Sequence, residues 1–146
     1  MRTERAGAAA GVPGARAVTP QAVVGTWRLV SFHETDETGT ARHEGPLGPD
    51  PTGQLMYLPD GQVSVHMMRA PDAPPGTPSY MGYSGTWRLV DGTTLVHRIA
   101  ITPRRDWVGT EQARDVVREE DRLTLYAHTR IQGVPHHRVL VWQRVT

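Results

Sequence analysis

The chain has no cysteine among its 146 residues. That excludes disulfides, zinc–thiolate and iron–sulfur centres, and any thiol nucleophile. Lysine is missing as well, and all sixteen basic residues are arginine. Codon bias from a GC-rich genome accounts for the count; an anion-binding reading needs particular arginines, not their number. An excess of one charge is also absent, with a formal net charge of only +1. Composition therefore calls for neither nucleic acid nor an acidic membrane as partner. No apolar run approaches the roughly 18 residues of a membrane span. Met1 to Pro20 is rich in Ala, Gly, Arg and Pro, but Pro13 and Arg16 interrupt its apolar stretch and leave a poor secretory core. Residues 1–22 are expected to be a flexible tail, residues 23–146 one domain, and the location cytoplasmic. There is no Gly-x-Ser-x-Gly elbow, no phosphate-cradling glycine loop and no His-Glu-x-x-His. No cofactor and no metal are called for.

What is present is a series of short β-prone runs separated by turn signals, with no sustained period of 3.6. Eight runs lie near Val24–Glu34, Gln54–Leu58, Gln62–Arg69, Tyr83–Val90, Thr94–Thr102, Thr110–Arg118, Arg122–His128 and Arg138–Val145. Asp60-Gly61 and Asp91-Gly92 are hairpin turns, because Gly takes positive φ and Asp tolerates it. Glu119–Asp121 marks another tight connection. Eight antiparallel strands joined by hairpins predict an all-β, up-and-down barrel that closes without a bare edge; a β-sandwich is the alternative. Pro20–Val24 is a short helical turn that closes one end. Two proline-rich connections, His43 to Thr52 and Ala70 to Ser79, break the hairpin rhythm. The second is either a lid over the mouth or a solvated connector.

The hexapeptide Gly-Thr-Trp-Arg-Leu-Val occurs at Gly25–Val30 and again at Gly85–Val90. In each copy a Gly and a Trp two apart share one face of a strand, and the missing side chain leaves room beside the indole. The flanking residues share little, which favours convergence on a good strand sequence over duplication. At Asp91-Gly92 a three-residue loop with a Gly bulge pairs Trp87 with His97 and Leu89 with Leu95. It is preferred to a two-residue loop because Trp87, Leu89, Leu95, His97, Ile99 and Ile101 then share a face. At Asp60-Gly61 the same two registers stay open: Leu55/Tyr57 against Met56/Leu58, and Ser64/His66/Met68 against Val63/Val65/Met67.

Gly25-Thr26-Trp27-Arg28-Leu29-Val30-Ser31-Phe32 resembles the first strand of bacterial lipocalin-like domain proteins. Gly48 to Tyr57 followed by Pro59-Asp60-Gly61, Trp107 to Gln112 with Arg114, Asp121 to Leu125, and the closing His137 to Arg144 resemble later segments of the same family, in order. The resemblance covers about Val23 to the C-terminus and implies an eight-stranded, calycin-type barrel. It also implies that Trp27 packs at the closed end against an arginine of the last strand, Arg144 or Arg138, in a cation–π contact of about 0.5–2 kcal/mol. Related small barrels include passive binders and cofactor-free cyclases of natural-product pathways.

Seven histidines raise the question of a metal, but His33, His66, His97 and His128 lie on separate runs, and adjacent His136 and His137 point to opposite faces of a strand. Glu111 and Asp115, four apart on one face, read as a solvated outer surface rather than an acid–base pair. The promising set combines rings and polar groups. Tyr57, Tyr83, His66 and Arg114 are the candidate catalytic donors. Met68, Trp87, His97, Trp107, Gln112, Tyr126 and Trp142 are the candidate substrate-binding walls. An eight-stranded barrel has room for one small ligand, and a lining of rings and Met with a few donors suits a mostly apolar one. If Arg114 faces inward it anchors an acidic, enol or tetronate-like oxygen. The expected partner is thus a hydrophobic small molecule with a polar end; no nucleic acid or membrane is expected, and a homodimer stays open. The sharper hypothesis is a cofactor-free cyclase of polyketide-type metabolism, pericyclic closure included, which folds a flexible chain and polarises a carbonyl. Its rivals are a non-catalytic carrier of an apolar metabolite and a barrel that acts through partner contacts.

Overall fold

The computed structural model describes residues 16–36, 42–131 and 133–146, leaving aside the side chains of residues 129–131. The first fifteen residues of the expected tail lie outside the described residues. Among those described, nine strands follow a one-turn helix α1 (Pro20–Val23). They are β1 (Gly25–Thr35), β2 (Arg42–Glu44), β3 (Thr52–Tyr57), β4 (Gln62–Met68), β5 (Tyr80–Val90), β6 (Thr94–Ile101), β7 (Glu111–Glu119), β8 (Arg122–Ile131) and β9 (Val134–Arg144). Each pairs antiparallel with its neighbour, and β1 closes the sheet against β9. Eight strands thus form a closed up-and-down barrel, and the sandwich alternative falls. The ninth, β2, is a short ribbon on the far end of β1, pairing Arg42–Glu44 with Thr35–His33. Its three residues are all exposed, so no apolar alternation announces it in the sequence.

Both Asp-Gly hairpins turn through three residues. Val90 faces Thr94 around Asp91-Gly92-Thr93, and Trp87 faces His97, as expected. Around Pro59-Asp60-Gly61 the Leu58 N–H donates to the Gln62 carbonyl, and Gly61 sits at φ 95°. This register pairs Tyr57 with Val63 and Leu55 with Val65, and all four are buried. Directly paired residues share a face, so Ser64, His66 and Met68 point outward. Inward placement of His66 and Met68 together with Tyr57 would have required a two-residue turn.

Two bulges adjust the faces further. In β1 the pairing with β9 skips Val30, so the buried residues change parity from Trp27 and Leu29 to Phe32. In β6 the pairs Gly85↔Ile99 and Ser84↔Ile101 leave Ala100 as the extra residue. Ile101 was expected on the inner face; beyond the bulge it faces out and is 72% exposed.

The floor of the barrel is built on Trp27. Its ring is fully buried, its Nε1–H donates to the Val23 carbonyl at 2.9 Å, and the Arg144 guanidinium carbon lies 4.4 Å from its centroid. Arg144 also donates to the carbonyls of Val24 at 3.1 Å and Ala22 at 3.2 Å, tying α1 across the end as a plug. The expected Arg144 partner and the expected helical turn therefore meet in one assembly. The two glycines of the repeat act differently from the expectation that they leave space for an indole. A Cβ on Gly25 would collide with the Thr146 carbonyl and the Arg144 guanidinium, and one on Gly85 with the Arg98 carbonyl at the β6 bulge. The first makes way for the floor arginine, the second for the bulged backbone.

Candidate ligand-binding site in the barrel lumen

Above this floor the barrel keeps a cavity of about 360 Å³. Its walls are mostly aliphatic and aromatic, with Leu55, Val65 and Met67 on one side and Leu125, Leu140 and Trp142 on another. Glu111, His128 and Arg138 border it, and four further polar groups come from the adjacent strands β5, β6 and β7, where Tyr83, His97, Gln112 and Arg114 line it. Sequence alternation puts them there: Trp87 faces His97, and His97 in turn faces Gln112, so the inward face of β6 continues into β7 through Gln112 and Arg114.

His97 organises the cluster. It is 2% exposed, its Nε2 lies 2.7 Å from the Tyr57 hydroxyl, and its Nδ1 lies 2.6 Å from the Tyr83 hydroxyl. Burial first, and the Arg114 charge second, lower its pKa to about 3, so the ring is neutral at ordinary pH. A neutral imidazole has one N–H and one lone pair, so one tyrosine donates to it and the other accepts. Tyr57 is 1% exposed and does not touch the cavity, so among the described residues its proton has only His97 to go to. If Nε2 carried the proton instead, a buried O–H would be left unsatisfied at a cost of about 1–3 kcal/mol. The favoured order is therefore Tyr57 O–H to Nε2, then Nδ1–H to the Tyr83 oxygen, which frees the Tyr83 O–H to donate into the lumen. Burial raises the pKa of both phenols, partly opposed by Arg114, so both stay protonated.

Arg114 is half-buried and donates to the Gln112 side-chain oxygen and, at 3.0 Å, to the Ala113 carbonyl. The other arginine on the wall, Arg138, is paired with Glu34 at 3.1 Å. Among the described residues no carboxylate lies within ion-pair distance of Arg114. The buried Trp142 Nε1–H likewise finds no acceptor among the described residues.

The structure thus brings together Tyr83, His97, Gln112, Arg114 and Trp142 on the lumen wall, with Tyr57 behind His97. Trp107 lies in a 3-10 turn (Arg105–Trp107) at the rim, its ring centroid 6.4 Å from that of Tyr83 and covered by Arg104 at 4.5 Å. Trp87 packs 5.2 Å from Tyr57 and donates to the Leu58 carbonyl, so it backs the cluster without lining the lumen. Tyr57 and Trp87 thus stand behind the wall, and three other sequence-derived site residues lie outside the barrel. His66 is on the outer face, between the Ser64 and Tyr80 hydroxyls. Met68 is 57% exposed. Tyr126 lies on the outer side of β8, because its neighbours Leu125 and Ala127 fill the inner side. Phe32, Met67 and Leu140 are wall residues that no functional motif announces; their signal is the apolar alternation of their strands. The Ala70–Ser79 connection is braced by Arg69, which donates to the Thr77 carbonyl at 2.8 Å. Pro78 and Ser79 border an outer vestibule of about 650 Å³ that meets the lumen at Met81 and Trp107.

Among solved structures the chain is similar to the bovine odorant binding protein in complex with a selenium-containing odorant, at 12% identity and a TM-score of 0.48, over 92% of this chain and 78% of that one. It is also similar to the siderocalin Ex-FABP, at 11% identity and a TM-score of 0.41, over 85% and 71% of the two chains. No curated protein matches the sequence. A family model described as a lipocalin-like domain matches residues 24–145, the whole of the closed barrel, and the chain belongs to that lipocalin-like family.

Proposed function

We propose that this barrel binds a small hydrophobic molecule with a hydrogen-bond-accepting end inside its lumen. The observation that carries the reading is a mostly apolar cavity of about 360 Å³ onto whose wall the Tyr57–His97–Tyr83 chain presents an oriented hydroxyl, that of Tyr83. Cavities of that size, mostly apolar with a few convergent polar groups, are where small ligands bind. The apolar walls supply the affinity, and the Tyr83 O–H selects an acceptor. The test is saturable binding of a neutral fluorescent probe, N-phenyl-1-naphthylamine, with one site per chain. Ala127→Trp, which puts an indole where a buried wall alanine stands, abolishes it while circular dichroism shows an intact sheet. Failure of the probe and of uncharged apolar ligands to bind, or binding equal in the filled variant, overturns the reading.

A narrower second reading, cofactor-free ring closure, is favoured by the same chain. A donor oriented by a buried neutral imidazole is suited to polarising a carbonyl, an effect of about 2–4 kcal/mol on a barrier. It requires that Tyr83→Phe abolish product formation while probe binding persists. A carrier needs only the cavity.

A further inference from the structure

The lumen is not sealed along its whole side. The β7–β8 ladder runs from Glu119↔Arg122 to Asp115↔Tyr126 and stops, although β7 begins at Glu111 and β8 continues to Ile131. The cavity shows the consequence. Glu111, Gln112, Ala113 and Arg114 all line it, as do both Ala127 and His128. Consecutive side chains on a strand point to opposite faces, so one cavity touches both only where the wall is open, between the strands or around their ends. Among the described residues the lumen therefore opens between Glu111–Arg114 of β7 and Ala127–His128 of β8, where their ladder has ended, and Arg114 stands at that opening.

From this opening, and resting on the lumen-binding reading above, we propose that the ligand's polar end is an oxyanion, a carboxylate or an enolate. It sits between β7 and β8 on the Arg114 guanidinium, with the apolar body lying in the lumen. The local charges agree. Glu111 is engaged by Arg88 at 2.9 and 3.2 Å. Asp115 lies on the other face of β7, where Thr94 donates to it at 3.3 Å and His128 Nε2 approaches to 3.8 Å. Arg138 is held by Glu34. Arg114 spends its bonds on neutral acceptors, Gln112 and the Ala113 carbonyl, so of the two described arginines on the cavity wall it is the one whose charge a bound anion can meet. A planar guanidinium takes a carboxylate or enolate oxygen with short charge-assisted bonds. Ammonium heads are repelled, and uncharged heads lose that contribution.

Decanoate and decan-1-ol, competing against N-phenyl-1-naphthylamine, test the proposal in the full chain. Wild type is expected to bind decanoate about tenfold or more tighter than decan-1-ol, the size of a charge-assisted hydrogen bond. Arg114→Met is expected to cut that preference to about twofold or less. Ala113→Cys gives a single thiol in a chain with no other cysteine, placed at the opening. Saturating decanoate slows its alkylation by N-ethylmaleimide at least about threefold, and decan-1-ol does not. Equal affinity of the two ligands in wild type, an unchanged preference in Arg114→Met, or equal protection of Cys by both overturns the proposal while leaving lumen binding intact. Absence of binding by every ligand, the neutral probe included, removes lumen binding itself.

Discussion

His97→Gln isolates the contribution of one buried imidazole to stability against acid. In the folded protein the ring is 2% exposed and its pKa is lowered to about 3, first by burial and then by Arg114. In the unfolded chain the value returns to about 6.5. Between those two values the unfolded state takes up a proton that the folded state refuses. Stability is therefore complete above about pH 6.5 and falls as pH drops toward 3, by about 1.4 kcal/mol per unit once well inside the window. Integrated from pH 7.5 to pH 5, the loss due to His97 is about 2 kcal/mol. Glu34 and Glu111 have lowered pKa values and act in the same direction, but at more acid pH. His33, lowered by burial and by Arg42, overlaps the window yet is common to both proteins and cancels in their difference. Glutamine keeps a donor and an acceptor between the two tyrosines but does not titrate. Urea unfolding at pH 7.5, 6.5, 5.5 and 5 should show wild type losing about 2 kcal/mol more than the variant over that range. Equal losses would refute the reasoning: the ring would then be solvated or charged, and the Tyr57-to-His97-to-Tyr83 order of donation would fall with it. Imidazole chemical shifts of wild type over the same range check the pKa without a substitution.

The floor, the repeat and the bulge each give a sharper test of structure. Arg144→Met removes the stacking on Trp27 and the bonds to the Ala22 and Val24 carbonyls, and should lower unfolding free energy by about 2–4 kcal/mol in urea. Gly85→Ala drives a Cβ into the Arg98 carbonyl and should cost about 3 kcal/mol or more. Gly76→Ala meets nothing within 4 Å at φ 88°, so its cost is the backbone strain of about 1–2 kcal/mol. Ile101→Ser should lie within about 0.5 kcal/mol of wild type and Ile99→Ala should lose about 2–5, because the bulge puts Ile99 at 1% exposure and Ile101 at 72%. Thermal or urea unfolding that ranks these two alike would mean the strand runs without a bulge.

The barrel was legible because its turns announce themselves. Asp-Gly pairs, a tight Glu119–Asp121 connection and runs of strand length leave few topologies for eight antiparallel strands. Register was legible where one face was plainly apolar, as with Leu89, Leu95 and Ile99 around Asp91-Gly92. At Asp60-Gly61 both faces of β4 carry apolar residues, so alternation alone leaves His66 and Val65 equally placed to face inward. The three-residue turn favours Val65. Tyr126 illustrates a trap, since a ring attracts a functional role while Leu123 and Leu125 on the opposite face already declare which side is inside. Bulges at Val30 and Ala100 have no marker that distinguishes them from regular strand, so the faces beyond them could not be assigned from alternation. The polar cluster was legible residue by residue but not as a unit. Tyr57, Tyr83 and His97 come from three strands, and only barrel closure turns them into one directed line of donors. The lateral opening is the feature furthest from the sequence. It exists because β7 and β8 outrun their common ladder, a mismatch of partners rather than of residues, and it moves Arg114 from the lining of a closed tube to the edge of an entrance. That change of place decides how a guanidinium with no carboxylate partner among the described residues is tolerated: at an entrance it keeps access to solvent, and an anionic head can exchange that solvation for direct bonds without a buried charge ever standing alone.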